Sequence, residues 1–434
     1  MKINYLSFFK EKMEMHSAIL KKFINYFAIF VIFSDALAWE AGRLFQVRAS
    51  YFMLIIVIFL MRFFMKRIYF SRTFIIVFLF IISYSLANIF LGNSDIFLLL
   101  KQILGMSIHA LAFYLLIKFN DEDIKKLFVI YLKVAFIIGL IGLIQEVAYL
   151  LHIRALFDFR YIFPNMFVPQ VLYVVPFYRV NSIMTEPTSF CIAMMPAFFV
   201  SLYFFLKNDF SLIKKWKCSV ILVSYLLSFS ATGYIGIFLA LCLVFLNILK
   251  KKYMILSLII PALFILLTYS CVNDFRYRMC HLVDLVTNNI KPELANMSVF
   301  TLFNNIRVTE YVLETSPLFG YGLGSHPISF QQADIFSITI DRSYLNSYDA
   351  NSLFLRLLSE TGILGLGGFL AFIIIFYIPK KKDASGYLWL INNSILIMII
   401  LRLMRQGHYF SEGFFFFFWL YYFSKKKLKS RVTS

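Results

Sequence analysis

Arg179 and Glu186 stand in the stretch Phe177–Phe190, FYRVNSIMTEPTSF, with Pro187 directly after the carboxylate. Proline suits the first position of a helix, where its missing N–H has no partner to lose. The stretch therefore reads as a loop arginine followed by a carboxylate at the mouth of an apolar helix. A cation and an anion fixed at a membrane surface are the residue types for chemistry on a charged lipid headgroup. Arg307 is the second arginine of this kind, in NNIRVTEYVLETSPLFGYGLGS. The planar guanidinium fork holds two phosphate oxygens at once and stays charged. The plain alternative for both is an arginine reaching to phospholipid headgroups, and for Arg307 also pairing with Glu310 or Glu314 on its own helix. Glu186 has several readings: an anchor for Arg179, an acceptor for a hydroxyl hydrogen bond, a base, or merely a carboxylate favoured by the helix dipole.

These residues need a membrane scaffold, and composition supplies one. The chain has 434 residues, 61% of them hydrophobic and 15% charged, with mean hydropathy +0.79. Soluble domains carry about a quarter charged residues, so this is a polytopic all-α membrane protein. The net charge of +19 falls in short Lys/Arg clusters between apolar runs, the positive-inside pattern rather than a nucleic-acid groove. Five cysteines show no paired spacing, and no Cys/His cluster points to a metal. The N-terminus has no cleavable signal peptide's form.

Taken in order, the apolar runs number about twelve, in one polytopic domain over 1–434. Basic clusters alternate with nearly uncharged turns, which puts both termini in the cytoplasm and two long loops, about 152–185 and 272–350, outside. Within the second loop, Val299, Leu302, Phe303, Ile306 and Tyr311 recur at helical spacing, as an interfacial amphipathic helix would place them. Gly320, Gly322 and Gly324 follow as a turn whose backbone N–H groups could meet phosphate. It follows no strand of a βαβ unit, so a dinucleotide fingerprint is excluded. Asp349, Asn351 and Ser352 close the loop, and Arg402, Arg405, Gly407 and His408 form a further outer basic segment. Asp349, Glu360 and His326 are lesser candidates for a base, with His326 read as an exposed loop residue. Lys101, Glu146, Arg356 and Arg402 lie inside apolar runs and require a cavity or a partner.

Three stretches together resemble the O-antigen polymerase (Wzy-type) and O-antigen ligase superfamily: RVNSIMTEPTSF, NNIRVTEYVLETSPLFGYGLGS and NSLFLRLLSETGILGL. They cover about a quarter of the chain, in the superfamily's order. The resemblance implies a GT-C-like membrane fold in the bacterial inner membrane, acting on the periplasmic side without metal or other cofactor. It implies an enzyme that polymerises undecaprenyl-pyrophosphate-linked repeat units, one lipid-linked glycan as donor and another as acceptor, with a chain-length regulator as a further partner. On that reading Arg179, Glu186 and Arg307 are catalytic, and Arg405, His408, Asn351, Asp349 and Gly322 bind substrate. Ligases carry a His-Asn pair ahead of the third motif, and Asn351 occupies the His position. That departure favours polymerase over a ligase acting on lipid A core, and leaves the general base unassigned. A glycan transporter is the reading from another class, but it would place its charges at the midplane in repeated halves, and no repeat is visible.

Overall fold

The computed structural model describes residues 5–41, 45–65, 71–162, 172–174, 176–248, 255–287, 289–291, 294–333, 347–383 and 385–433. It is an all-α membrane protein whose only strands among these residues are two short hairpins. Each expected span has its helix: α1 (Tyr5–Phe30), α2 (Ala49–Arg62), α3 (Arg72–Phe90), α4 (Ile96–Phe119), α5 (Ile124–Leu150), then, past a single turn α6 (Arg154–Phe157), α7 (Pro187–Lys207). The series continues with α8 (Lys215–Leu226), α9 (Ala231–Ile248) and α10 (Leu256–Cys271). After the second loop come α14 (Leu353–Phe376), α15 (Tyr387–Met404) and α16 (Phe414–Thr433). Six of these, α3, α4, α5, α7, α14 and α15, are individually long and apolar enough to cross a bilayer; others, such as α2, are shorter. The first span is shorter than its apolar run, because the chain leaves α1 through a 3-10 turn ending at Phe33 and forms the hairpin β1 (Ala38–Ala41) and β2 (Phe45–Arg48).

Among its described residues the second loop is largely helical: α11 (Asn273–Val286), α12 (Met297–Thr315) and α13 (His326–Gln332). Between α10 and α11 the chain bends by 99°. The amphipathic reading of α12 is corrected in its detail. The buried face carries Val299, Thr301, Asn304, Asn305, Val308 and Val312, whereas Ile306 is exposed. Asn305 Nδ2 and Thr309 Oγ1 donate to the helix carbonyls of Thr301 and Asn305, while Asn304 Nδ2 and Asn305 Oδ1 have no hydrogen-bond partner among the described residues where this face packs against α14.

α7 and α15 form the centre, and nearly every residue of α7 is buried. Pro196 interrupts the α7 ladder, and Tyr131 of α5 repairs it: its hydroxyl donates to the Ala193 carbonyl at 2.7 Å and accepts from the Ala197 N–H at 3.3 Å. α14 is broken at Gly362, where φ is 63° and ψ −167°. The break frees backbone groups that segment 317–322 then takes up. Tyr321 and Gly322 N–H donate to the Ser359 and Glu360 carbonyls, while Ile363 and Leu364 N–H donate to those of Pro317 and Leu318. Irregular backbone at membrane depth persists only where protein satisfies it in this way.

Among the described residues, basic side chains of several clusters gather at one end of the bundle. Lys426 reaches Glu122 at 3.3 Å, Lys425 the Tyr377 carbonyl, Lys380 the Asn247 carbonyl and Arg431 the Ser385 hydroxyl. The loops carrying Arg179, Asp349 and His408 lie at the opposite ends of these helices.

Candidate active site

Arg179 is positioned by the α5 residues Gln145 and Glu146. Glu146 accepts the Tyr178 N–H at 3.2 Å, and Gln145 brackets Ser182, accepting its N–H at 2.7 Å and donating to its carbonyl at 3.0 Å. Thus Glu146, a carboxylate within an apolar run, serves the loop. Gly142 allows the approach, because a Cβ there would meet Val180 at 2.5 Å. The hairpin of β3 (Tyr173–Val174) and β4 (Phe177–Tyr178) covers the outside. Glu186 caps α7 in extended conformation, with Pro187 at the first helical turn as the sequence predicts. Beside it, Thr185 donates its hydroxyl to Asp35 at 2.7 Å.

The arginine that meets Arg179 is Arg278, not Arg307. Asp274 sits between them on α11, 3.7 Å from Arg179 Nη1 and 3.5 Å from Arg278 Nη2. Arg405, the C-cap of α15, completes the cluster and donates to the Ser298 carbonyl at 3.5 Å. Burial, then the Arg278 charge, push the Arg179 guanidinium below its ordinary value, against Asp274 and Glu186. Burial does the same to Arg405; Glu186 and Asp349 oppose it, and Arg278 adds to it. Three guanidiniums therefore share Asp274 and Glu186, leaving positive charge in excess. The buried Nε–H groups of Arg179 and Arg278 have no hydrogen-bond partner among the described residues. Such donors in an electropositive recess are what an anion binds. Arg307 lies apart: its side chain is 55% exposed, pairs with Glu310 at 3.2 Å and stacks on Phe303.

Asp349, Asn351 and His408 come together. Segment 349–352 packs on segment 403–408 through Gln406 N–H to the Asn351 carbonyl at 3.0 Å and Ser352 Oγ to the Leu403 carbonyl at 2.7 Å. Gly407 is required there, because a Cβ would lie 2.2 Å from Asp349 Oδ1. Asn351 and Gln406 both hold positive φ, 54° and 111°, conformations that non-glycine residues keep only where the surroundings impose them. Gln406 then donates to Glu186 at 3.1 Å and Ser189 at 3.0 Å, joining this segment to α7. Asn351 turns its amide to Thr301 at 3.0 Å. Arg402 is fully buried and holds the loop by donating to the carbonyls of His408 and Ser411, its plane over Phe414.

His408 Nε2 is 3.9 Å from Asp349 Oδ2. Burial pushes the His408 imidazole down to about 3, with Arg48, Arg356 and Arg402 adding to the effect and Asp349 opposing it. Burial would raise Asp349, but the neighbouring His408, Arg356 and His326 hold it below the usual carboxylate value. The pair is therefore a neutral imidazole beside an ionised carboxylate. Arg356, buried in α14, lies 3.0 Å from Glu360 and 3.8 Å from Asp349, so Glu360 is held in an ion pair. His326 is 1% exposed, which corrects its reading as an exposed loop residue: Ser325–His326 opens α13 against the core. Gly322 gives its N–H to Glu360, and a Cβ there would lie 2.8 Å from the Ser85 backbone. The glycine turn thus fastens the α14 break.

An all-α membrane protein with a buried arginine cluster and an acid–imidazole pair at one end of the bundle is the class that fold and site define. Residues 218–370 match the O-antigen ligase family (Wzy_C), so this part of the chain is similar to proteins of the O-antigen polymerase/ligase superfamily. The matched stretch contains Arg278, Asp349 and Arg356; Arg179, Glu186, Arg405 and His408 lie outside it. No curated protein and no solved structure matches the chain.

Proposed function

We propose that the protein is a polysaccharide polymerase of the bacterial inner membrane, joining undecaprenyl-pyrophosphate-linked repeat units. The observation that carries this is the convergence of Arg179, Arg278 and Arg405 around Asp274 and Glu186, with two buried Nε–H donors open to an anion. Arg278 takes the place that the sequence gives Arg307. In the proposed reaction an acceptor sugar hydroxyl attacks the anomeric carbon of the donor glycan. The bond from that carbon to the pyrophosphate oxygen breaks, and undecaprenyl pyrophosphate leaves with the electron pair. Fixed cations stabilise the charge that grows on the leaving oxygen. The hydroxyl proton passes to His408, where Asp349 stabilises the imidazolium. A bound pyrophosphate raises the basicity of His408 by its negative charge. Glu186, held by Gln406, orients the arginines. Clustering of Lys and Arg at the opposite end of the bundle supports cytoplasmic termini and a periplasmic site.

The ligase reading is favoured by the description of the matching family. Against it, the position where ligases carry histidine holds Asn351, whose amide is turned to Thr301 and cannot accept a proton. A deletion strain separates the two. Loss of a polymerase leaves single repeat units on the surface lipid, whereas loss of a ligase leaves that lipid bare while long chains accumulate on the carrier. A transporter defect would trap repeat units on the cytoplasmic face. A bare core with long carrier-linked polymer overturns the polymerase reading.

A further inference from the structure

A groove of about 470 Å³ lies between α1 and α5 at the lysine-rich end of the bundle, away from the arginine cluster. Its size falls within the range of about 300 to 1,000 Å³ common to ligand sites. Lys22 of α1 and Lys125, Lys126 and Lys133 of α5 line it, with Tyr26, Val129 and Ile130 between them. The helical repeat places them together. Lys126, Val129, Ile130 and Lys133 stand at i, i+3, i+4 and i+7 on one face of α5, and Lys22 and Tyr26 are four apart on α1.

Charge on this face is unbalanced. Its one carboxylate, Asp123, is the N-cap of α5 and accepts the Lys126 N–H at 3.1 Å. The acids of the adjoining turn are held by lysines from outside the groove: Asp121 by Lys21 at 4.0 Å, and Glu122 by Lys118 at 2.5 Å and Lys426 at 3.3 Å. Among the described residues none of the four groove lysines has an ion-pair partner, and Lys125 lies over the Tyr387 ring.

Lys133 decides what kind of anion the groove suits. It is the tenth residue of α5, about 14 Å along the axis from the first, and its side chain is exposed. The same exposed face continues through Ile137, Leu140 and Ile144, so the lysine stands at the head of a lipid-facing stripe. A cation there is costly unless it reaches an anion or the interface. A small soluble anion would answer the lysines and leave the stripe unused. A phosphodiester carrying acyl chains matches both, its headgroup among the lysines and a chain along Val129, Ile130 and the stripe.

We infer that the α1–α5 groove is a binding site for an anionic phospholipid, with the phosphodiester held by Lys22, Lys126 and Lys133. The site is independent of the glycan reading. Its helix does carry Gln145 and Glu146, which hold the Arg179 loop at the far end.

The test is native mass spectrometry of the purified full-length protein in detergent, titrated with dioleoyl phosphatidylglycerol, dioleoyl phosphatidylcholine or glycerol 3-phosphate. The phosphatidylglycerol adduct should form at least about tenfold more tightly than the phosphatidylcholine one. Lys22→Gln and Lys133→Gln should each weaken it about fivefold, as one lysine near an anionic lipid contributes. Lys214→Gln and Lys381→Gln, at the same end of the bundle but outside the groove, should leave it unchanged. Equal binding of the two lipids overturns the inference, as does a preference that survives the Lys22→Gln/Lys133→Gln double variant. Equal losses in the control variants would show a general basic surface instead of a site, and glycerol 3-phosphate binding as tightly as phosphatidylglycerol would show an anion site with no lipid component; either result overturns it.

Discussion

Replacing Arg179 by lysine keeps the charge and removes the fork, so it isolates the geometry of pyrophosphate binding. The Arg179 side chain is 5% exposed and touches Asp274 at 3.7 Å, so lysine retains the charge that Asp274 and Glu186 need and the fold is preserved. What it loses is one of two parallel charge-assisted hydrogen bonds to phosphate, each contributing about 1.5–3 kcal/mol. At about 1.4 kcal/mol per tenfold, polymerisation should fall roughly 10- to 150-fold. Arg278→Lys should behave alike, because Arg278 shares Asp274 with Arg179. Arg307→Lys should change activity little, since its exposed pair with Glu310 is of the kind that contributes about 0–1 kcal/mol. The assay is the rate of glycan lengthening on lipid-linked repeat units, in membranes matched for protein abundance. An Arg179→Lys rate within about threefold of wild type, or an Arg307→Lys loss as large as that of Arg179→Lys, would refute the bidentate role and the choice of cluster.

Three further expectations follow from the geometry. Gly362→Ala would put a Cβ 2.3 Å from the Leu318 carbonyl at a backbone angle reserved for glycine, costing about 3 kcal/mol or more, whereas Gly367→Ala on the same helix meets nothing within 4 Å and should be neutral or slightly stabilising; thermal unfolding in detergent compares them. His408 has a folded pKa of about 3 against an ordinary 6.5, so the unfolded chain binds more protons between those values and stability is lost as pH falls from about 6.5 toward 3; His408→Asn should reduce that loss, and an unchanged pH profile would contradict the assignment. Cysteines substituted at Gln331 should react with an impermeant reagent from outside intact cells and those at Lys381 and Lys426 should not, the reverse pattern overturning the topology.

Hydropathy made the helices legible because each span must hide its own backbone in lipid, and the Glu186–Pro187 helix start is correct to the residue for the same local reason. The extent of crossing was less legible: α2 is shorter than a full span, and the chain bends by 99° between α10 and α11, at the start of the second loop. Arg278 was missed because its partnership with Arg179 arises from the 99° bend after Cys271, and no glycine or proline marks that bend. The Asp274/Arg278 spacing of one helical turn was the available signal. The absence of histidine at 351 could be read directly. That His408 lies against Asp349 depends on how segment 403–408 packs on 349–352, a tertiary pairing with no local signature. Arg402 and Arg356 were legible as residues requiring partners, although the partners themselves, backbone carbonyls for one and Glu360 for the other, were not.

The central claim is that the arginine cluster transfers a glycan from one undecaprenyl pyrophosphate to another lipid-linked unit. Its most direct measurement uses the purified protein in liposomes containing only lipid-linked repeat units as substrate. The expected result is a ladder of longer glycans still attached to undecaprenyl pyrophosphate, with one undecaprenyl pyrophosphate released for each bond formed and the ladder shortened in Arg179→Lys. Glycan transfer that occurs only after lipid A core is added, or movement of repeat units across the bilayer with no new glycosidic bond, would contradict it.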